Sequence, residues 1–331
     1  MQNYTKHLNS IRWGIIGCGN VTELKSGPAY QQTEGFELVA VMRRNLDKAR
    51  DYAERHSVGK YYNDANTLIH NNEVDAVYIA TPPDSHLDYA LQVARAGKPC
   101  CIEKPMARSY QECLRIYNAF EAAGIPLFIA YYRRTLPRFL KVKEWLESGK
   151  IGTVRHLSWI LSQPPSTLDL SQALNWRTDI KIAPGGYFDD LASHGLDLFH
   201  YLLGEVKEAS GFYTNQQGLY SAPDAVSGSW VYHSGATGSG NWNFGSFSNE
   251  DRVEIFGSEG KISFAVFQDA PVVLETNNGR QEITIDHPKH VQSDHVESIQ
   301  KHLAENDFIH PSTGKTALHT SWIMDKILGK I

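Results

Sequence analysis

A chain of 331 residues with 41% hydrophobic and 21% charged side chains is long enough for two cores and too apolar to stay disordered. A net charge of −5 without a long basic run excludes a nucleic-acid binder built on clustered Lys and Arg, and no apolar run reaches bilayer length. Residues 1–10 lack the apolar core of a signal peptide, so a soluble, cytoplasmic protein is expected.

The first apolar run, 12–16, stops at Gly17-Cys18-Gly19 and gives way to a helix-forming stretch that begins with Asn20 and Val21. This pattern starts a strand–turn–helix phosphate cradle: Gly17 allows the tight turn, Gly19 admits a pyrophosphate, and the helix start offers N–H groups. Thr22 stands where the usual third glycine would be. Cys18 reads either as a reactive thiol near a helix start or as a small side chain in a tight space. Further runs at 37–42, 60–62, 76–80, 99–102 and 126–130 alternate with helical stretches at 46–56, 63–70, 85–96 and 109–123. Strands alternating with helices predict a parallel, doubly wound sheet. The other cysteines, Cys100, Cys101 and Cys113, share neither zinc-site nor disulfide-framework spacing with Cys18, so reduced thiols and no bound metal are expected.

The second run ends in Arg43-Arg44, without an acid at its tip. A carboxylate there suits the ribose of NAD, whereas guanidinium groups can grip a 2′-phosphate. NADP(H) is therefore the favoured cofactor and NAD(H) the alternative. The next run ends in Thr81-Pro82-Pro83, a stiff turn at a strand's carboxyl end, where open parallel sheets bind ligands. His86 follows and reads equally as structural or cofactor-facing. The fifth run ends in Glu103-Lys104-Pro105, which reads as a surface ion pair or as a lysine held beside a nicotinamide.

After about residue 131 the texture changes. A helix is expected over 136–150, a strand over 154–161, a loop over 163–176, and a helix running from Pro184-Gly185-Gly186 to 203. Strands follow at 209–214, 226–233, 238–244, 252–256, 261–267, 272–276 and 282–285, with short turns between them. That predicts a large, mostly antiparallel sheet, closed by helices over 293–305 and 312–328. Trp and Tyr in its strands point to one or both faces, and a face left uncovered predicts a homodimer or homotetramer. In the long helix Asp190 and His194 lie four apart, so they share a face, with Asp197 a turn further and Asp189 rotated away. A carboxylate beside an imidazole can orient it for proton transfer; a satisfied core histidine is the other reading.

Together the glycine turn, Thr81-Pro82-Pro83 with Ser85-His86, Glu103-Lys104-Pro105, and Gly185-Gly186 followed by Asp190, His194 and Asp197 resemble the glucose-fructose oxidoreductase, inositol dehydrogenase and rhizopine-catabolism (Gfo/Idh/MocA) oxidoreductase family. Within it, the arginine-bearing strand end is similar to the NADP-dependent dihydrodiol dehydrogenase and sugar reductase branch. The resemblance implies a Rossmann domain over 1–130 and a substrate-binding, oligomerising α+β domain over 131–331, with packing of its final helices back on the first domain as an alternative. It implies Lys104, Asp190 and His194 as the catalytic set. Tyr131, Arg133, Trp176 and Arg177 are implied on the substrate side, together with a sugar, polyol or cyclic diol as substrate. A cofactor-retaining hydrolase or lyase and a non-catalytic cofactor sensor are the competing readings.

Overall fold

The computed structural model describes residues 10–331; residues 1–9, which carry the N-terminal stretch without an apolar core, lie outside them. The described chain forms two compact units. One takes the residues up to Leu136 together with Pro288–Leu318, and the other takes Pro137–His287 and His319–Ile331.

The first unit holds six parallel strands: β1 (Ile11–Ile16), β2 (Phe36–Met42), β3 (Lys60–Tyr62), β4 (Ala76–Ile79), β5 (Cys100–Ile102) and β6 (Leu127–Ile129). Their order is β3-β2-β1-β4-β5-β6. The chain therefore reverses its direction of travel between β1 and β4, and a crevice opens at their carboxyl ends. Every residue of β4, β5 and β6 is buried, as a sheet covered on both faces requires. Asn45, Asp64 and Ser109 start their helices by accepting an N–H three residues on. On one face Trp13, Tyr30, Phe36 and Tyr78 pack ring against ring. All four cysteines are free and buried.

The second unit holds eight strands: β7 (Val154–Ser162), β8 (Val206–Thr214), β9 (Ala225–Tyr232), β10 (Thr237–Asn243), β11 (Glu250–Gly257), β12 (Gly260–Phe264), β13 (Val272–Thr276) and β14 (Gly279–Ile283). Their order is β14-β13-β12-β11-β7-β10-β9-β8. Every neighbouring pair is antiparallel except β7 with β10, because the chain leaves after β7 and returns as a β8-β9-β10 meander. Alternation buries Leu157, Trp159, Leu161, Trp230, Tyr232 and Trp242. The opposite face is polar, with Ser227, Ser229 and Asn241 exposed and Glu254 paired to Arg252 and Lys261. The tryptophans of β7, β9 and β10 thus turn to the covered face, whereas Phe212 and Phe256 stand exposed on the other.

Two local features depart from the sequence pattern. The expected loop over 163–176 contains a short helix, Thr167–Leu170, closed by reciprocal Ser166–Asp169 bonds. The long helical segment begins with a π-helical turn, Phe188–Ala192, before the α-helix Ser193–Leu203. Among the described residues no helix is long and apolar enough to cross a membrane.

The first unit also buries a histidine cluster. The His310 Nδ1 accepts the Ser312 N–H at 2.9 Å, and its Nε2 faces the His295 carbonyl at 3.2 Å, which fixes a neutral ring. Burial pushes His310 down to about 3 and His295 well below the usual histidine range. Between pH 6.5 and 5 the unfolded chain then binds protons that the folded chain refuses, so stability falls as pH falls, by about 1.4 kcal/mol per pH unit for each ring once below the unfolded pKa. Urea unfolding at pH 7.5, 6 and 5 should show this decline, and His310→Asn should make it shallower. A pH-independent midpoint over that range would contradict it.

Candidate active site

The turn after β1 is built around Gly17, whose φ of +92° lies in the left-handed region. A Cβ there would also stand 2.6 Å from Thr81 Cγ2 and 2.9 Å from the Thr81 backbone nitrogen, so only glycine lets the ends of β1 and β4 meet. Gly19 is different. A Cβ added to it would find only the Gly17 carbonyl, at 3.8 Å, so the space above this turn is open to a ligand, as a dinucleotide cradle requires. The Thr22 side chain takes over part of what the third glycine usually secures. It is fully buried, accepts the Gly19 N–H and donates back to the Gly19 carbonyl, both at 2.9 Å. Cys18 is 1% exposed, and burial pushes its thiol up to about 11, which favours the tight-space reading over the reactive one. Asn20 and Val21 form the first helical turn beyond.

Arg43 and Arg44 stand at the tip of β2. Arg43 is half-buried, its N–H donates to the Tyr62 carbonyl at 3.0 Å, and its charge acts on the Cys18 thiol. Arg44 is exposed. Neither guanidinium makes an ion pair with a described acidic side chain, whereas the neighbouring Arg55 is engaged with Glu23 and Asp51.

At the end of β4, Ser85 donates to the Thr81 hydroxyl at 2.7 Å and stiffens the Pro82-Pro83 turn. His86 is fully buried, with Nε2 on the Thr81 carbonyl at 2.7 Å and Nδ1 on the carbonyls of Pro105 and Met106. Both ring nitrogens thus face backbone, and the imidazole ties the strand-end turns after β4 and β5 together. Glu103 is not spent on a surface ion pair. It is buried and accepts from the Tyr78 hydroxyl at 2.6 Å, the Gln292 amide at 2.8 Å and the Lys104 N–H at 3.2 Å. Lys104 follows, partly exposed, before a cis Pro105. Past β6, Tyr131 and Arg133 are buried, and the Arg133 guanidinium lies 5.0 Å from the Tyr132 ring centre.

In the second unit, Asp190 sits in the π-helical turn and His194 in the first turn of the helix Ser193–Leu203; both are buried. The α-helical spacing that places four-apart residues on one face does not run unbroken between them. Single π turns inside helices frequently mark functional sites. Arg177 Nε donates to Asp190 Oδ2 at 2.6 Å, and the guanidinium lies 4.3 Å from the Trp176 ring centre. Phe267 stands edge-on to the His194 ring at 5.7 Å. Its loop is fixed by Asp251, which accepts the N–H groups of Val266, Phe267 and Gln268 and the Trp159 indole. Gly195 lets the helix lie directly on the Trp159 ring, which any Cβ would overlap. Beside Arg177, a cleft of 320 Å³ is lined by Asp169, Asn175, Thr178, Asp179, Tyr220 and Ser221, among others.

Sequence reasoning missed Tyr78, Gln292 and Asp251, which hold Glu103 and the Phe267 loop. Each is isolated in the sequence and has a partner far along the chain, so spacing carries no signal for it. Among the described residues no group of three or more His, Cys, Asp or Glu side chains is placed to hold a metal.

Open space over a glycine turn at a sheet reversal, with a lysine at a neighbouring strand end, is the arrangement of a dinucleotide-binding site. Residues 11–131 match the oxidoreductase family with an NAD-binding Rossmann fold, and residues 139–263 match the GFO/IDH/MocA C-terminal domain. The chain belongs to the GFO/IDH/MocA oxidoreductase family, and its activity is that of an NAD(P)-dependent dehydrogenase or reductase. Oxidoreductase P35 of Formosa agariphila is 40% identical over 321 residues, covering 96% of this chain and 98% of that protein. The myo-inositol 2-dehydrogenase of Thermotoga maritima is 28% identical over 275 residues, 81% of this chain and 79% of that one. A solved levoglucosan dehydrogenase, in complex with NADH and levoglucosan, shares the fold with a TM-score of 0.84 at 23% identity, covering 97% and 96% of the two chains.

Proposed function

We propose that the chain is an NADP(H)-preferring dehydrogenase or reductase acting on a hydroxyl- or carbonyl-bearing carbon of a sugar, polyol or cyclic diol. The observation that carries the cofactor preference is the pair Arg43 and Arg44 at the β2 tip, next to the glycine turn and without an acidic partner among the described residues. The inositol and levoglucosan activities named for the relatives support the substrate class.

Gly17 to Val21 would hold the pyrophosphate, and Arg43 and Arg44 the adenosine 2′-phosphate. Thr81, Pro82, Pro83 and Lys104 would border the nicotinamide half, with Glu103 and His86 fixing the turns that carry them. The nicotinamide, when bound, supplies the hydride acceptor or donor. His194 would take the proton of the reacting hydroxyl, or return it to a carbonyl. Lys104 would hold that oxygen and the nicotinamide ribose. Asp190 orients the site and is held there by its ion pair with Arg177. Arg133, Tyr131 and Trp176 are assigned to the substrate side. The cofactor-retaining hydrolase and the non-catalytic sensor lose ground because each catalytic residue type is present.

Charge-assisted contacts to a phosphate contribute about 1.5–3 kcal/mol, enough for roughly tenfold or greater discrimination. Fluorescence titration should give tighter binding of NADPH than NADH, and Arg43→Asp should erode the difference. Tighter NADH binding to the unmutated protein would reject the preference.

His194→Ala should lose about 10²–10⁴ in turnover with near-normal cofactor affinity, because it removes only a proton-transfer group. Lys104→Ala should lower both. Paired titrations and rate assays separate the two, and near-normal turnover in His194→Ala would leave His194 a packed core histidine.

The polar outer face of the eight-stranded sheet, where Phe212 is also 84% exposed, is the surface we assign to a homo-oligomer. Light scattering should give at least a dimer mass at micromolar protein; a monomer mass would remove that assignment.

A further inference from the structure

The chain leaves the first unit after Leu136 and returns to it at Pro288. The returning segment is tied at once to two parts of the glycine-turn crevice. His290 Nδ1 lies 2.7 Å from the carbonyl of Leu24, the last residue of the helix after the glycine turn. A carbonyl only accepts, so this nitrogen carries the proton. Two residues on, Gln292 precedes the helix Ser293–Ala304 and is 1% exposed. Its Nε2 donates to Glu103 Oε1 at 2.8 Å across 189 residues of sequence, and its Oε1 has no partner among the described residues. The amide is therefore placed for its donor: turned over, it would set its oxygen against the carboxylate. The same Glu103 Oε1 accepts the Tyr78 hydroxyl at 2.6 Å. Two donors on one oxygen leave Oε2 to the Lys104 N–H at 3.2 Å. The carboxylate is thus held in one rotation, and the Lys104 backbone hangs from the oxygen that neither distant donor uses.

We propose that Gln292 is a positioning residue for Lys104: its amide fixes the Glu103 carboxylate, and the carboxylate fixes the turn that presents the lysine. With an apolar side chain at 292, Oε1 keeps only Tyr78, the carboxylate can turn and exchange its oxygens, and the Lys104 N–H loses a fixed acceptor. A buried acceptor short of a donor costs free energy until its surroundings rearrange. The loss should fall on the nicotinamide end of the cofactor, because Gly17, Arg43 and Arg44 are untouched. The catalytic part of this inference rests on the role proposed above for Lys104, whereas the link from Gln292 to the turn does not.

The test uses the full chain carrying Gln292→Met, which keeps the length without the amide, or Gln292→Glu. In the cofactor-free protein, hydrogen exchange read by mass spectrometry over peptides spanning 100–109 should be at least tenfold faster in Gln292→Met. Its affinity for NADPH should fall at least threefold, while that for adenosine 2′,5′-bisphosphate, which lacks the nicotinamide half, should stay within twofold. Where NADH binds tighter than NADPH, NADH and AMP replace that pair. Its kcat on the sugar or polyol that the unmutated enzyme accepts should fall at least fivefold, by the same factor at pH 6 and pH 9.

Gln292→Glu should behave differently, because it sets a second carboxyl against Glu103. Burial and a like charge both raise a carboxyl's pKa, by up to about 3–5 units when it is fully buried. Below that pKa the added carboxyl is protonated, donates its O–H to Glu103 and restores the tie; above it two carboxylates repel. Its kcat relative to the unmutated protein should be within threefold at pH 6 and at least fivefold lower still at pH 9. Burial moves the native groups near Glu103 away from this range, Tyr78 and Cys101 up and His86 down. Unchanged exchange in Gln292→Met, equal losses for NADPH and adenosine 2′,5′-bisphosphate, or a Gln292→Glu profile parallel to that of the unmutated protein overturns the inference. If Gln292→Met does not fold, the Gln292→Glu profile decides. Failure of the active-site reading is distinguished by Lys104→Ala: unchanged turnover and cofactor affinity there remove the role of Lys104, while the exchange result still decides whether Gln292 holds its turn.

Discussion

A carboxylate buried in a protein interior needs donors, and this chain buries several beside the residues assigned to its site. Glu103, Asp189, Asp190, Asp197 and Asp251 are all at or below 8% exposure. Each has been given donors, and several of these come from far along the chain: Gln292 for Glu103, Thr320 for Asp197, Trp159 for Asp251. The fold therefore joins distant segments at the loops assigned to the site. These pairs constrain loops that hydrophobic packing alone would leave loose, because a buried polar group that loses its partner costs free energy.

The consequence differs between the two units. In the first, the carboxyl ends of β4 and β5 are stiffened by polar ties, with the buried His86 ring set between the carbonyls of the turns after β4 and β5 and Glu103 bound to three donors. In the second, the helix Ser193–Leu203 is seated on an aromatic floor. Trp159 meets Phe199 at 5.3 Å and Trp242 at 5.6 Å, and Phe188 meets Trp242 at 4.9 Å. Edge-to-face contacts of this kind fix ring orientation as well as burying area. Gly195 brings the backbone close to that floor, and His194, next to it in the chain, inherits a fixed height above the sheet.

Much of this was legible in the residues. Alternation of apolar runs and helical stretches located all six parallel strands, because a sheet covered on both faces needs continuous apolar runs and its helices carry caps such as Asn45 and Ser109. Turn residues located the antiparallel strands nearly as well, though β8 starts earlier than its alternation suggests, since the exposed Lys207 and Glu208 hide the pairing at its first residues. What spacing could not supply was pairing at a distance. Nothing around Gln292 points to Glu103, and nothing around Asp251 points to a loop that meets His194. Nor could spacing tell which face takes the aromatics. The buried face of β7, β9 and β10 takes them because the helices cover it, and that is a tertiary fact.

The π-helical turn is the sharpest case of a local rule overridden. Read as an α-helix, Phe188–Leu203 places Asp190 and His194 on one stripe and sends Asp189 elsewhere. A wider turn takes one extra residue per hydrogen-bonded ring, so it shifts every side chain before it relative to those after it. The shift carries a cost, because π geometry is disfavoured and persists only where its surroundings demand it. Here they do so from two sides: Gly185 N–H on Asp189 and Arg177 Nε on Asp190 draw adjacent carboxylates to different partners. In an unbroken α-helix two successive side chains point about 100° apart, and both of these carboxylates must nonetheless stay buried and bonded. The widened turn is the local solution to that demand, so the two bonds explain the geometry and the geometry in turn sets where Asp190 points.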